Sequence, residues 1–213
     1  MDTAKHSDAK RKPVIGLMGA PGSGKSFIAQ LFAEQGAAVI DADALAREAM
    51  AEPQVRKQLV AWWGRDILDA EGHVDRRAVG AKVFEDDEAL RRLETLVHPR
   101  VHARRNELRA KHEADPAVQA IVEDCPLLLE TGLDRACDVL VYVEAPYAVR
   151  AARVRQQRGW SAAELERREK NQAPLDTKRA RADDVIDNGA GRASAREQVR
   201  RVLSRVLQQA NTD

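Results

Sequence analysis

Val14-Ile15-Gly16-Leu17-Met18-Gly19-Ala20-Pro21-Gly22-Ser23-Gly24-Lys25-Ser26 is the stretch from which the fold is read. Residues 14–18 are a short apolar run of the kind a buried parallel strand uses. Gly19 through Ser26 match G-x-x-x-x-G-K-[ST]. From Ser26 to Gln35 the apolar residues Ile28, Leu31 and Phe32 recur at helical spacing. Strand, glycine-rich turn and helix in that order separate a phosphate-binding loop from an ordinary glycine turn. Glycines at 19, 22 and 24 let successive N–H groups turn inward with no side chain in the way. A helix starting near Lys25 adds unpaired N–H groups and the positive end of its dipole. Pro21, Gly22, Ser23, Gly24, Lys25 and Ser26 are therefore expected to cradle the phosphates of a nucleoside triphosphate. Lys25 would reach the β- and γ-phosphates and the Ser26 hydroxyl would ligate Mg²⁺.

Outward from the loop, Ala37–Ile40 reads as a second strand ending in Asp41-Ala42-Asp43, which completes a βαβ unit. The alternation then stops. From about 44 to 112 only helical patterns are found, one through Val55, Leu59, Val60 and Trp63, another through Leu90, Leu93, Val97 and Val101. His98-Pro99 is expected to interrupt the latter, since a mid-helix proline loses a hydrogen bond and clashes with the preceding turn. Strand patterns return at 118–124, 138–143 and 184–188. Residues 147–158 read as a helix, and Ser161/Glu164 and Ser194/Glu197 as capping boxes opening two more. The last helix carries a stripe of Val199, Val202, Leu203, Val206 and Leu207. The expected fold is α/β: a three-layer parallel sheet of the P-loop NTPase type, with an inserted helical substrate lobe (about 44–112) and a helical lid (about 147–181). Residues 1–12, charged and without periodicity, read as a disordered leader, and 13–213 as a single domain.

Composition narrows the function. Among 213 residues, 35 basic and 34 acidic ones leave a formal charge of +1. That balance removes any global reason to expect nucleic acid or a membrane surface as a partner. With aromatics at 4% of a chain that is 44% hydrophobic, aliphatic side chains must build the core. Cys125 and Cys137 make neither a disulfide framework nor a zinc site. No apolar run approaches the roughly 20 residues of a membrane span, and the polar N-terminus is unlike a secretory signal, so a cytoplasmic setting is expected. Nothing in the sequence sets an oligomeric state.

Ligands of open α/β sheets bind at the carboxyl ends of strands, where Asp41 and Asp43 stand. Either can take a proton from an attacking hydroxyl or hold a metal-bound water, and either can instead cap the next helix. Asp124 ends the strand after the insertion, in the place of a Walker-B acid near the magnesium. Glu130 has no role that spacing assigns, and Asp134 and Asp138 read as loop and strand-edge charges. Between 146 and 181, Arg150, Arg153, Arg155, Arg158, Arg167, Arg168, Lys170, Lys178, Arg179 and Arg181 face only Glu164, Glu166, Glu169 and Asp176. That local excess suits a mobile cover over a triphosphate, because the guanidinium fork binds phosphate at two points and keeps its charge. A nucleic-acid stripe is the rival use, and only Trp160 interleaves the basic residues. His98 and Arg100 lie together in the insertion. With no N-K-x-D segment for a GTPase, two reaching carboxylates, a helical lobe and an arginine-rich cover fit a small-molecule kinase. A non-catalytic nucleotide switch, or a kinase of another small acceptor such as a nucleoside monophosphate, remains open on the residues alone.

Taken in order, the loop, Asp41-Ala42-Asp43, Asp75-Arg76, His98-Pro99-Arg100, Pro126-Leu127-Leu128-Leu129-Glu130 and Ala182-Asp183-Asp184-Val185-Ile186-Asp187-Asn188 resemble the dephospho-CoA kinases over nearly all of residues 14–190. The resemblance implies transfer of the ATP γ-phosphoryl group to the ribose 3′-hydroxyl of dephospho-CoA, the last step of coenzyme A biosynthesis. It implies that the nucleotide bound by Pro21, Gly22, Ser23, Gly24, Lys25 and Ser26 is ATP. It implies Asp43 as the base or hydroxyl-orienting residue, with Lys25 and Arg153 as further catalytic groups. His98 and Arg100 would join Asp43 in acceptor binding, Arg150, Arg153 and Arg158 would face phosphates from the lid, and Asn188 would lie near the adenine. Ser26 and Asp124 would serve Mg²⁺. The chain departs from the family's usual G-G-I-G-S-G-K-S-T at Ala20, Pro21 and Phe27. It also has Val149 or Arg150 where a glutamine is usual at the start of the lid.

Overall fold

Val14–Gly19 forms strand β1, buried along its whole length, as a continuous apolar run is when both sheet faces are covered. It is central in a parallel sheet with β2 (Ala37–Asp41), β3 (Ala120–Asp124), β4 (Val139–Glu144) and β5 (Asp184–Asp187), in the order β2-β3-β1-β4-β5. β1 pairs in parallel with β3 and with β4, and β4 with β5. The register sets Leu17 opposite Asp124 and Gly19 opposite Val143, so β3 delivers its terminal carboxylate beside the strand that runs into the phosphate loop. The computed structural model describes residues 11–84 and 86–212, and residues 1–10 of the expected leader lie outside them. Of the leader's last two residues, Arg11 pairs with Asp138 and Lys12 donates to Glu113 and to the His112 carbonyl.

Contacts divide the chain into two units, one of residues up to Ile40 with Lys111 onward, the other Asp41–Ala110. In the first, helices α1 (Lys25–Ala33) and α9 (Arg192–Thr212) close one face of the sheet. Ile28, Leu31 and Phe32 pack with Val199, Val202, Leu203 and Val206 against Ile15, Val122, Val141 and Ile186. The apolar stripe read in the last helix is thus its core face, with Leu207 at the edge. The same unit carries α6 (Tyr147–Arg158), α7 (Ala162–Lys170) and α8 (Leu175–Ala180). The second unit holds α2 (Ala42–Ala51), α3 (Pro53–Trp63), α4 (Arg76–Val83) and most of α5 (Asp87–Ala114). Its own core joins Met50, Val55, Leu59, Ile67, Val79 and Val97, with Trp62 and Trp63 packed against it.

Three local expectations need correction. α5 runs through Pro99 without a break. A proline there removes the backbone donor to the Thr95 carbonyl, and the helix continues because Leu93, Leu96, Val97 and Val101, on both sides of it, pack into one core; Arg100 Nη1 donates to the adjacent Leu96 carbonyl at 2.6 Å. Ser161 caps α7 by accepting from Glu164 N–H, but the Glu164 carboxylate turns to Arg167 and Arg168 and completes no box. α9 starts at Arg192, before Ser194, after a left-handed Gly191 (φ 95°); Ser194 instead receives Gln198, and Glu197 pairs with Arg200. No described helix is long and apolar enough to cross a membrane.

Candidate nucleotide site

The loop between β1 and α1 owes its shape to two left-handed glycines, Gly22 (φ 79°) and Gly24 (φ 89°), where any larger residue would be strained. Ser23 N–H closes the turn onto the Ala20 carbonyl at 3.0 Å. α1 begins with no side-chain cap and no acid in its first turn. Its leading N–H groups and positive dipole end are therefore left for an anion from elsewhere.

Lys25 and Ser26 open α1 and meet the end of β3. Ser26 Oγ donates to Asp124 Oδ2 at 2.8 Å, and Lys25 Nζ lies 3.5 Å from Asp124 Oδ1. Asp124 is 4% exposed, and its Oδ1 accepts no hydrogen bond within the protein. A buried carboxylate oxygen in that condition, beside a hydroxyl, suits a hard cation that prefers oxygen ligands. Among the described residues no group of three His, Cys, Asp or Glu is arranged for a metal. The donor set thus fits an ion held by one carboxylate and one hydroxyl that draws its other ligands from phosphate and water, the habit of Mg²⁺ in phosphoryl-transfer sites.

Four arginines of the basic segment are engaged by groups of the protein itself. Arg150 is buried; it pairs with Glu169, donates from Nε to the Ala145 carbonyl at 3.2 Å and from Nη1 toward the Pro21 carbonyl at 3.4 Å. Arg153 donates from Nη1 to the Ser23 carbonyl at 3.1 Å and from Nη2 to the Asn188 carbonyl at 2.8 Å. Arg158 and Arg168 lie over the Trp160 ring, 4.8 and 4.2 Å from its centroid. Arg150 and Arg158, expected to face phosphates, are in this structure held by a carboxylate and an indole. Asn188, expected at an adenine, is buried and donates from Nδ2 to the Ser23 carbonyl at 2.7 Å.

Two acids and a lysine matter more than their spacing suggested. Lys178, on α8, has a side chain 1% exposed. Its ammonium lies 3.3 Å from Glu130 Oε1, 2.9 Å from Gln172 Oε1 and 3.2 Å from the Pro126 carbonyl. Burial lowers its pKa, Glu130 opposes the shift, and nearby Lys25 adds to it. Glu130 also accepts from Ala173 N–H at 2.6 Å, so it ties the turn after β3 to the segment around α8. Asp134 is buried and paired with Arg181 at 2.6 Å, not a loose loop charge. A cavity of about 210 Å³ opens beside Ala20, lined by Tyr142, Glu144, Arg150, Asp176 and Arg179 among others. Small-molecule pockets run to about 300–1,000 Å³, so this void alone does not contain a whole nucleotide.

In the second unit, Asp41 caps α2 by accepting from Ala44 N–H at 3.0 Å and lies 3.7 Å from Arg47. Asp43, in the first turn of that helix, is exposed, so of the two candidates Asp43 has its carboxylate uncommitted to a cap. His98 is exposed, its ring 6.5 Å from that of His102. Arg100 pairs with Glu52 at 3.0 Å. The structure thus gathers Lys25, Ser26, Asp124, Arg153 and Asn188 around the loop in the first unit, and Asp43, His98 and Arg100 belong to the second.

A family model described as dephospho-CoA kinase matches residues 13–205. A dephospho-CoA kinase of Anaeromyxobacter dehalogenans is 42% identical over 185 residues, covering 85% of this chain and 87% of that protein. One of Mycolicibacterium paratuberculosis is 41% identical over 189 residues, covering 88% of this chain but 46% of that protein, so the chain spans about half the length of this relative. Among solved structures, a Thermus thermophilus protein matches with a TM-score of 0.77 at 34% identity, over 92% of this chain and 98% of its own. A dephospho-CoA kinase from Campylobacter jejuni matches in fold with a TM-score of 0.63 at 22% identity, over 92% and 97%.

Proposed function

The chain belongs to the dephospho-CoA kinase family, and from that premise we propose that it transfers the γ-phosphoryl group of ATP to the ribose 3′-hydroxyl of dephospho-CoA, giving coenzyme A and ADP. The observation that carries the proposal is the uncapped start of α1 with Lys25, Ser26 and Asp124 converging on it.

Phosphoryl transfer asks little covalent work of a protein; positioning and charge neutralisation supply most of the rate. The loop amides and the α1 dipole bind the β- and γ-phosphate oxygens, and Lys25 exchanges its contact with Asp124 for one with phosphate. Ser26 and Asp124 would hold Mg²⁺, which when bound offsets the negative charge that builds on the phosphate oxygens. Asp43 accepts the proton of the attacking hydroxyl or orients it in line with the γ-phosphorus, while His98 and Arg100 bind the acceptor's anionic and polar groups. Residues 147–181 act as a lid that excludes water from the transferring group. The partners are these two small molecules, with no nucleic acid or membrane, within a single kinase domain over 13–213 in the cytoplasm.

The test is direct: ADP release measured with ATP, Mg²⁺ and dephospho-CoA, against a panel of nucleoside monophosphates. Release that requires dephospho-CoA supports the proposal. ATP binding with no acceptor-dependent ADP, or faster release with a nucleoside monophosphate, overturns it.

A further inference from the structure

We propose that Arg153 and Asn188, with Arg150 behind the loop's first turn, are positioning residues that hold the phosphate loop from its outer side. In a planar trans peptide the C=O and the following N–H point in opposite directions. Anchoring the Ser23 carbonyl outward therefore aims the Gly24 N–H inward, and anchoring the Pro21 carbonyl does the same for Gly22. Those two carbonyls are held by side chains from outside the loop. Ser23 O receives both Arg153 Nη1 and Asn188 Nδ2, and Pro21 O receives Arg150 Nη1.

The anchor is itself fixed. Arg153 Nη2 holds the Asn188 carbonyl, and Asn188 N–H is bonded to the Glu144 carbonyl at the end of β4 at 2.8 Å. One guanidinium fork thus closes a ring from Ser23 to Asn188 and back. α6 abuts the loop so closely that a Cβ on Gly22 would stand 2.8 Å from the Arg150 carbonyl oxygen and 2.8 Å from Val154 Cγ1. Glu169 neutralises Arg150 behind the loop, which leaves its charge little reason to swing toward an anion. A preorganised cradle binds without first ordering its own backbone, which is where its affinity advantage arises.

The inference rests on the loop being the nucleotide cradle and is independent of the acceptor. Its test compares the full-length chain with Arg153→Lys and Asn188→Ala by ¹⁵N NMR without nucleotide, and by titration with ATP and ADP. Lysine keeps the charge but cannot fork to two carbonyls. The clamp predicts that in both variants the backbone order parameters of Gly22 and Gly24 fall from about 0.85 toward 0.6. ATP and ADP should lose affinity equally, by about tenfold, as for one lost buried hydrogen bond. Unchanged order in the nucleotide-free variants, rescue by lysine, or a loss much larger for ATP than for ADP would make Arg153 a phosphate ligand and overturn the clamp. If ATP leaves the amides of 19–26 unperturbed in the wild-type protein, it is the nucleotide site itself that fails. If Arg153→Lys does not fold, Asn188→Ala, which removes an uncharged donor, decides the matter.

Discussion

Gly24→Ala places a methyl group where the loop has no room for it. Gly24 sits at φ 89°, and its added Cβ would stand 2.3 Å from Asn188 Nδ2. That amide is on a residue 3% exposed and donates to the Ser23 carbonyl at 2.7 Å, so it cannot step aside without giving up a buried bond. A non-glycine residue in the left-handed region costs about 1–3 kcal/mol, and a buried donor stripped of its acceptor costs a further ~1–3 kcal/mol. The variant should therefore lose about 2–6 kcal/mol, a large part of the ~5–15 kcal/mol that holds a domain together. Urea denaturation reads this as a lower midpoint at unchanged slope. Asn188→Ala removes the obstructing amide, so Gly24→Ala should cost less in that background, and the cycle should show a coupling of about 1 kcal/mol or more. A Gly24→Ala protein within about 0.5 kcal/mol of wild type, or strict additivity of the two changes, would refute the steric argument.

Asp43→Asn should lower kcat by about a hundredfold or more while ATP affinity, read by calorimetry, stays within about twofold; a near-normal kcat removes Asp43 from the mechanism. Lys178 has a folded-state pKa below its ordinary 10.5, so above that lowered value and up to 10.5 the unfolded chain binds more protons than the folded one. Stability attributable to Lys178 therefore rises with pH across that window. Urea melts at pH 7 and pH 10 should show wild type gaining on Lys178→Met as pH increases, and a gap that narrows contradicts the burial argument. Pro99→Ala restores a donor to α5 and should raise stability by about 1–3 kcal/mol. A Pro99→Ala midpoint in urea no higher than that of wild type would deny that the missing donor to Thr95 costs anything in this helix.

The alternation of strand and helix was legible because it is written in side chains. Val14–Met18 and 138–143 are too short and too apolar for exposed elements, and the stripe of Val199, Val202, Leu203 and Val206 has only one way to be buried. Lys25, Ser26 and Asp124 were legible for the same reason: a strand–loop–helix places the first two, and a strand end places the third. What failed was local and competitive. Ser194 offers a cap, but Gly191 turns the chain three residues earlier, and a capping pattern cannot outbid a helix already begun. Pro99 breaks helices through its missing hydrogen bond, yet Leu93, Leu96, Val97 and Val101 on either side of it pack into one core, and that burial outweighs the single lost bond.

The basic segment shows what a count of charges leaves out. An arginine surplus between 146 and 181 was read as cover for an anion because the tally weighs guanidinium groups only against carboxylates. The acceptors that occupy Arg153, and with Glu169 occupy Arg150, are the carbonyls of Pro21, Ser23, Ala145 and Asn188. A carbonyl occurs at every position whatever the residue, so its demand for a donor leaves no mark in the composition. The demand comes from the loop itself: amides turned toward a polyphosphate require carbonyls turned away, and a buried carbonyl left without a donor is costly. Arginine answers both needs with the same fork. The cationic surplus beside the loop is thus consistent with two duties at once, and only the position of Arg153 over Ser23 and Asn188 tells which one that residue performs.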